Sequence, residues 1–182
     1  MNDLGVMVDV SHVGERTFYD AINASRKPVI ASHSSAYSLN PHRRNLKDEQ
    51  LKAIAKSGGV IFVNFYSLFL DSTYAKKYGD FFKKHREELR ALGKQYDNRS
   101  KAKAEIHLKY QSEMTPMRPP ISLLIDHIDY IAKLIGTDHV GLGADFDGAE
   151  SYPSQITDVS QYPNVTAELL KRGYSKNDVR KI

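Results

Sequence analysis

The chain has 182 residues, of which 41% are hydrophobic and 26% charged, a composition typical of one soluble globular domain. No apolar stretch approaches the roughly 20 residues that cross a bilayer, and residues 1–5 lack the basic start and apolar core of a signal peptide. The absence of cysteine excludes disulfide bonds, thiolate metal ligands and a cysteine nucleophile, but it leaves the compartment, cytoplasmic or exported, undetermined.

The net charge of +4 is concentrated between Lys76 and Tyr110, where eleven lysines and arginines stand against five acidic residues. A basic helical segment can bind nucleic acid or a membrane surface. Acidic residues interrupt this run, however, and its basic residues are scattered around the helix, which favours a solvated helical face. We therefore expect no nucleic-acid partner.

The N-terminal third alternates between short apolar runs and amphipathic stretches. The apolar runs at 6–10, 28–32 and 59–65 predict buried strands, and the near-continuous hydrophobicity of the third is typical of a strand covered on both faces. The stretches between them predict helices over 15–25 and 48–57, which place apolar residues on one face. This order is typical of parallel β/α units.

Residues 67–120 interrupt this alternation as a helical insertion. The apolar positions from Tyr78 to Leu92 predict one amphipathic helix, and residues 101–112 predict a second. An insertion after the C-terminal end of a strand falls on the catalytic side of a barrel, where it could form a lid. A dimerisation arm, and with it a homodimer, is an equal alternative.

The rest of the chain returns to the alternation. Its periodicity predicts a helix over 121–135, a strand over 138–144 and a helix over 162–170, and Ser175 to Asp178 resembles a capping box that opens a last helix. We therefore predict an α/β fold with about four β/α units of a (β/α)8 TIM-type barrel, roughly half of the ~250 residues of a complete one. Residues 1–182 are expected to form part of a larger barrel.

His12 and His33 follow the first two predicted strands directly. The C-terminal ends of parallel strands meet at one edge, which is where α/β proteins place their chemistry. Neutral imidazole is also the commonest protein ligand for zinc. The pair predicts half of a metal site, since a zinc ion needs at least three protein ligands.

The fourth predicted strand is followed by Asp145-Phe146-Asp147-Gly148. A carboxylate at this edge can bind a metal, accept a proton from metal-bound water or protonate a leaving amine. The same residues are typical of a turn. Beside the histidines we favour the functional interpretation for Asp145 and the turn for Asp147 and Gly148.

Arg44 and the other histidines give weaker signals. The guanidinium fork of Arg44 suits a substrate that carries a carboxylate, although spacing alone favours solvent exposure or a structural anchor for this loop residue. His85 and His107 lie in the charged insertion and are expected at the surface. His127 and His139 flank buried elements and are expected to be packed or hydrogen-bonded.

Six segments in a fixed order go beyond spacing. They are Val8-Asp9-Val10-Ser11-His12-Val13, residues 28–37 ending in Ser32-His33-Ser34-Ser35-Ala36-Tyr37, Arg43-Arg44-Asn45, residues 59–66, Asp126-His127-Ile128-Asp129, and residues 141–148. With these segments the chain resembles the membrane (renal-type) dipeptidase family of zinc metallopeptidases, peptidase family M19. The insertion is the part least characteristic of that family.

This resemblance implies a (β/α)8 barrel with two zinc ions bridged by a glutamate, which hydrolyses dipeptides with a metal-activated water. By position, His12 and His33 resemble the two histidines on one of the zinc ions. Arg44 resembles the arginine that holds the C-terminal carboxylate of the substrate, and Asp145 resembles the acid/base aspartate.

The resemblance also implies that part of the site lies elsewhere. The family's first-strand His-x-Asp, its bridging glutamate and a substrate-contacting histidine precede the region that this chain matches, so the chain corresponds to the C-terminal half of the barrel. We therefore expect one partial zinc site here and no activity from the isolated chain. Two alternatives stay open: another amidohydrolase-like metal hydrolase, or a non-catalytic fragment or binding module that uses the basic insertion.

Overall fold

The computed structural model describes residues 1–182 and contains one parallel sheet of four strands in the order β1-β2-β3-β4. The register pairs Val8 with Val29 and Ile61 with Val140, and the β2–β3 ladder shifts between Ala31 and Ser34. The strand bounds are β1 Val8–Asp9, β2 Val29–Ser34, β3 Ile61–Val63 and β4 Val140–Leu142. All four strands run in one direction, so their C-terminal ends share one edge of the sheet.

Helices connect the strands and cover the sheet. Their bounds are α1 Glu15–Ala24, α2 Asp48–Lys56, α3 Ser67–Leu70, α4 Ser72–Lys84, α5 Arg86–Tyr96, α6 Arg99–Lys109, α7 Gln111–Met114, α8 Ile121–Ile135, α9 Tyr162–Lys171 and α10 Lys176–Lys181. Short 3-10 turns occur at Asn2–Leu4, Thr115–Met117, Thr137–His139 and Val159–Gln161. None of these helices has the length and apolar character needed to cross a membrane.

The main core lies between the sheet and helices α2 and α8. A cluster of 22 buried residues includes strand side chains such as Val29, Ile61 and Val140, which are at most 1% exposed. Helix α8 contributes an apolar stripe at helical spacing: Ile121, Leu124, Ile125, Ile128 and Ile131 are buried. Burial of this stripe holds the long helix against the strands that end at the candidate site.

The strands are shorter than the apolar runs predicted. The first run, 6–10, forms ladder pairs only at Val8 and Asp9, and the third and fourth strands are likewise confined to residues 61–63 and 140–142. The second strand differs in the other direction, because it extends to Ser34 and therefore contains His33 instead of ending before it. Helix α8 has the predicted bounds, and Ser175 Oγ accepts the hydrogen bond from Asp178 N that the capping box predicts.

The insertion packs around a small core of its own. Tyr74, Phe81, Ala102 and Ile106 are at most 3% exposed and lie outside the main cluster. The single helix predicted across Tyr78–Leu92 is wrong, since α4 ends at Lys84 and α5 begins at Arg86.

The predicted surface positions of two histidines are also wrong. The side chain of His85 is 10% exposed and stacks 3.9 Å from the ring of Tyr110, between centroids. His107 is half-buried, with its Nε2 3.3 Å from the hydroxyl of Tyr78. Aromatic side chains of the insertion enclose both rings.

Candidate metal centre

The C-terminal ends of the four strands carry the polar residues of the candidate site. His12 follows β1, His33 is the penultimate residue of β2, Asn64 follows β3, and Asp145 follows β4. Gly143 permits the strands to come close here, because a Cβ at this position would lie 2.1 Å from the carbonyl oxygen of Ser32. The site is therefore built where the strands pack closely at the C-terminal end of the sheet.

The two histidines meet through one nitrogen each. Nε2 of His12 lies 2.7 Å from Nε2 of His33, with the ring centroids 4.7 Å apart. His12 is exposed and His33 is half-buried. Burial lowers the pKa of His33, with the positive charge of Arg44 acting in the same direction, which favours the neutral imidazole that binds metals.

These nitrogens fit one side of a zinc ion. A tetrahedral ion with Zn–N distances of about 2.0 Å separates two ligand nitrogens by about 3.3 Å, so the rings would need to part by only about 0.6 Å. No cluster of three or more His, Asp or Glu residues with metal-binding geometry is formed within the chain. The donor set is thus correct in chemistry and incomplete in number.

A network of hydrogen bonds joins the ends of β1 and β2 behind the histidines. The Asp9 carboxylate accepts from the backbone N–H groups of Ser11 and Ser32 and from the Ser32 hydroxyl, at 3.0, 3.1 and 2.5 Å. The same hydroxyl lies 2.7 Å from Nδ1 of His33. Burial raises the pKa of Asp9, but the hydrogen bonds from Ser32 and Ser11 outweigh it and hold the pKa below its usual value.

Asp145 occupies a left-handed backbone conformation, with φ 56°. Aspartate tolerates this region better than most residues. Asn64 Nδ2 donates to Asp145 Oδ2 at 3.3 Å, and the backbone carbonyl of Asp145 accepts from Gly148 N at 3.1 Å. Burial lowers the pKa of both His33 and Arg44, and the charge of Asp145, the next largest influence on each, partly offsets this effect.

The side chain of Arg44 lies near His12 and packs against helix α3. Its Nε donates to the carbonyl of Ser11 at 2.9 Å, and its guanidinium carbon lies 5.4 Å from the centroid of the Phe69 ring. Its Nη2 is buried and has no acceptor. A groove of about 720 Å³ runs past this group and is lined by His12, Val13, Gly14, His42, Arg43, Arg44, Tyr66 and Phe69.

The loop after Asp145 is tied to the insertion on both sides. Arg118, at the end of the insertion, donates to the carbonyls of Tyr152 and Pro153 at 2.6 and 2.5 Å. Ser67, at its start, donates its N–H to the Ser151 carbonyl at 3.0 Å. Tyr152 in turn donates its hydroxyl to the Asp145 carbonyl at 3.0 Å, so the insertion contacts the loop that holds the aspartate.

His127 on α8 joins two segments that adjoin the candidate site. Its Nδ1 accepts from Ala36 N at 3.0 Å, and its Nε2 lies 3.2 Å from the Leu70 carbonyl, an arrangement that requires a neutral ring with the proton on Nε2. The ring therefore joins the loop after His33 to helix α3, whose Phe69 contacts Arg44. The expectation that His127 and His139 are packed or hydrogen-bonded is confirmed, since His139 Nδ1 bonds the Gly59 carbonyl at 2.8 Å.

We expect His127 to make the fold sensitive to mild acid. Burial lowers its pKa to about 4, below the value of 6.5 for a free histidine. The unfolded chain therefore binds more protons in this range, so the stabilisation is complete above pH 6.5 and is lost as the pH falls toward 4, by at most about 3 kcal/mol. Urea unfolding of wild type and His127→Asn at pH 7.5 and pH 5 measures this. The variant should be less stable at pH 7.5 and should lose less stability at pH 5; equal losses in both proteins would contradict the assignment.

Several residues of this site had no assigned role in the sequence. Asp9 and Asn64 lie within apolar runs and Ser32 ends one, so each resembles a polar interruption of a strand. The only local signal is their position near a strand end. Their partners are distant in the chain, because Asp9 meets Ser32 across 23 residues and Asn64 meets Asp145 across 81.

Comparison with known proteins gives one consistent result. The chain is 36% identical over 178 residues to an uncharacterized dipeptidase of Schizosaccharomyces pombe, covering 98% of this chain and 33% of that protein. It is 34% identical over 182 residues to the dipeptidase tcpJ of Claviceps purpurea, covering 100% of this chain and 33% of that protein. The chain thus spans about a third of the length of these curated relatives.

Solved structures show the same relationship. The probable dipeptidase PvdM of Pseudomonas aeruginosa matches with a TM-score of 0.72 at 31% identity, over 100% of this chain and 48% of that chain. A metallopeptidase of Rhodobacter sphaeroides, liganded with a phosphinate mimic of the dipeptide L-Ala-D-Ala, matches with a TM-score of 0.71 at 29% identity, over 100% and 40%. The predicted fold class, a partial TIM-type barrel with a helical insertion, is confirmed.

The family model described as membrane dipeptidase, peptidase family M19, matches residues 1–182. Together with the parallel sheet and the histidine pair at its C-terminal edge, this match shows that the chain belongs to the membrane dipeptidase family of metallopeptidases.

Proposed function

We propose that this chain supplies part of the active site of a zinc-dependent dipeptidase. The observation that carries the proposal is the meeting of His12 and His33 at 2.7 Å through Nε2, at the same strand edge as Arg44 and Asp145. The relatives named dipeptidases and the neighbour that holds a dipeptide mimic support the substrate class. The segment would act within a full-length polypeptide of the size its relatives have.

His12 and His33 would hold one zinc ion of the pair that the family resemblance implies. Bound zinc supplies Lewis-acid polarisation of the peptide carbonyl and activation of the attacking water. The neutral state of His33, favoured by burial, leaves its imidazole able to donate a lone pair. The remaining ligands would come from outside these 182 residues, since no third one joins the pair.

Arg44 would bind the C-terminal carboxylate of the dipeptide. Its Nε is committed to Ser11 and its Nη2 is buried, so Nη1 is the donor left for a substrate in the groove. The contact with Phe69 and the bond to Ser11 restrict the side chain, which lowers the entropy lost when a carboxylate binds. This arrangement selects substrates with a free C-terminus.

Asp145 would move the proton during hydrolysis. Its carboxylate accepts a proton from the attacking water and transfers it to the nitrogen of the scissile bond, which leaves as an amine. The bond from Asn64 Nδ2 to Oδ2 fixes the orientation of the carboxylate. Because Asn64 holds one oxygen, Oδ1 is the oxygen left for the proton transfer.

Zinc titration tests the ligand assignment. We expect the 182-residue chain to bind Zn²⁺ weakly and to lack measurable dipeptidase activity, because it offers two histidines where a site needs at least three ligands. His12→Ala and His33→Ala should each abolish this binding in competition with a chromophoric chelator. His139→Gln is the matched control, since His139 precedes β4 at the opposite edge of the sheet. Unchanged zinc binding in either alanine variant would refute the assignment.

A further inference from the structure

The carboxylate of Asp9 divides its two oxygens between different kinds of donor. Oδ1 accepts the backbone N–H groups of Ser11 and Ser32, at 3.0 and 3.1 Å, and Oδ2 accepts the hydroxyl of Ser32 at 2.5 Å. The orientation of the group is therefore fixed from both sides. Asp9 makes no hydrogen bond to either histidine ring, but its partner Ser32 lies 2.7 Å from Nδ1 of His33.

Proton counting sets the direction of this chain of bonds. The Ser32 hydroxyl has a single proton, and an ionised carboxylate can only accept. The proton must therefore point to Oδ2 of Asp9, since two acceptors at 2.5 Å would otherwise face each other. The oxygen of Ser32 is then the acceptor toward His33, and Nδ1 of His33 must be the donor.

We propose that Asp9 is a positioning residue that fixes His33 as the Nδ1–H tautomer through Ser32 and so presents the Nε2 lone pair to the metal. The inference rests on the proposed zinc site and adds the residue that sets the tautomer of His33. Metal-binding histidines generally donate their second ring nitrogen to such a partner. Here a serine stands between the ring and the carboxylate.

The Asp9 carboxylate also helps to position the main chain of His33. Ser11, whose N–H is bound by Asp9, accepts from the backbone N–H of His33 through its hydroxyl at 3.0 Å. Ser11 is 5% exposed, so this bond lies away from solvent. Ring and backbone of His33 are thus both positioned from Asp9.

Asp9→Asn is the decisive variant, because the amide can fit in only one orientation. Its oxygen must face the N–H groups of Ser11 and Ser32, and its NH2 group then points to the Ser32 hydroxyl. Ser32 becomes an acceptor there and donates its own proton to His33 Nδ1. The ring should switch to the Nε2–H tautomer, which blocks the metal-binding nitrogen.

Long-range ¹H–¹⁵N NMR of the metal-free, histidine-labelled 182-residue chain at pH 8 reads the tautomer directly. We expect the Nδ1–H form of His33 in wild type and the Nε2–H form in Asp9→Asn. Zn²⁺ affinity, measured by competition with a chelator, should fall by about 10- to 100-fold in the same variant. Persistence of the Nδ1–H form in Asp9→Asn would overturn the proposal, and so would a zinc affinity within twofold of wild type.

Two further variants keep the test independent of folding. Ser32→Ala removes the relay but leaves the bond from the backbone N–H of residue 32 to Asp9, and should give a mixture of tautomers with reduced affinity. Asp158→Asn is the matched control, because Asp158 accepts the N–H of Ser160 at 2.9 Å and also its hydroxyl, in a loop that makes no hydrogen bond to His12 or His33. It should leave tautomer and affinity unchanged. The NMR result stands even if wild type binds no zinc, which would count against the proposed function alone.

Discussion

Replacing Asp145 with asparagine is expected to lower kcat about 10²- to 10⁴-fold in a full-length polypeptide that carries this segment, with little change in zinc content. Asparagine removes the site that accepts the proton and keeps the size of the side chain. It also tolerates the left-handed backbone at φ 56°, where alanine would add strain and confuse the result. The variant therefore tests chemistry and not folding.

Steady-state kinetics and metal analysis on the same preparation measure both effects. Asp147→Asn is the control, because Asp147 is a neighbouring carboxylate with φ 68° in the turn that follows. It should retain the kcat of wild type. Loss of zinc from Asp145→Asn would instead make Asp145 a metal ligand, and the acid/base role would be wrong.

Replacing Arg44 with alanine should lower kcat/KM for a dipeptide about 10²-fold, since a hydrogen bond to a charged group contributes about 1.5–3 kcal/mol. Arg44→Lys should restore part of this loss, because lysine keeps the charge but not the fork that binds both carboxylate oxygens. A dipeptide whose C-terminus is amidated lacks the charge that Arg44 binds. Its hydrolysis, slow in wild type, should hardly change in either variant.

Zinc content is measured alongside, because Arg44 also bonds the carbonyl of Ser11 next to His12. A loss of kcat/KM that accompanies a loss of zinc would reflect this neighbouring contact. Unaltered dipeptide kinetics in Arg44→Ala would remove the carboxylate clamp and reopen the substrate class. Equal losses for the free and the amidated dipeptide would do the same.

The order of elements was predictable from the sequence because it depends on local periodicity. The apolar stripe of α8 repeats at helical spacing between Pro120 and Gly136, and its predicted bounds agree with the structure. Strand ends were predicted less well, since a hydrophobic run shows burial and not ladder pairing. Valine at position 6 continues the run of β1 but makes no pair with β2. The break at His85 was missed because the apolar face continues from α4 into α5.

The candidate site was likewise predictable from the sequence only in part. His12, His33 and Asp145 were predicted because each follows or ends a recognisable strand, although their roles stay proposals. The hydrogen bonds that orient them join residues far apart in the chain, as when Ser32 meets Asp9 and Asn64 meets Asp145. Such contacts arise from strand register and loop closure, which a single sequence does not specify.

The anchoring of the insertion limits how freely this family member can be redesigned. Its two ends are bonded to the loop that follows Asp145, through Ser67 and Arg118, while its outer helices pack around a separate core. A chimera that exchanges the outer helices between Ser72 and Lys109 would leave these bonds in place. One that excises the whole of residues 67–120 would remove them. The insertion can therefore be replaced only between Ser67 and Arg118, and these two residues have to be kept with the barrel.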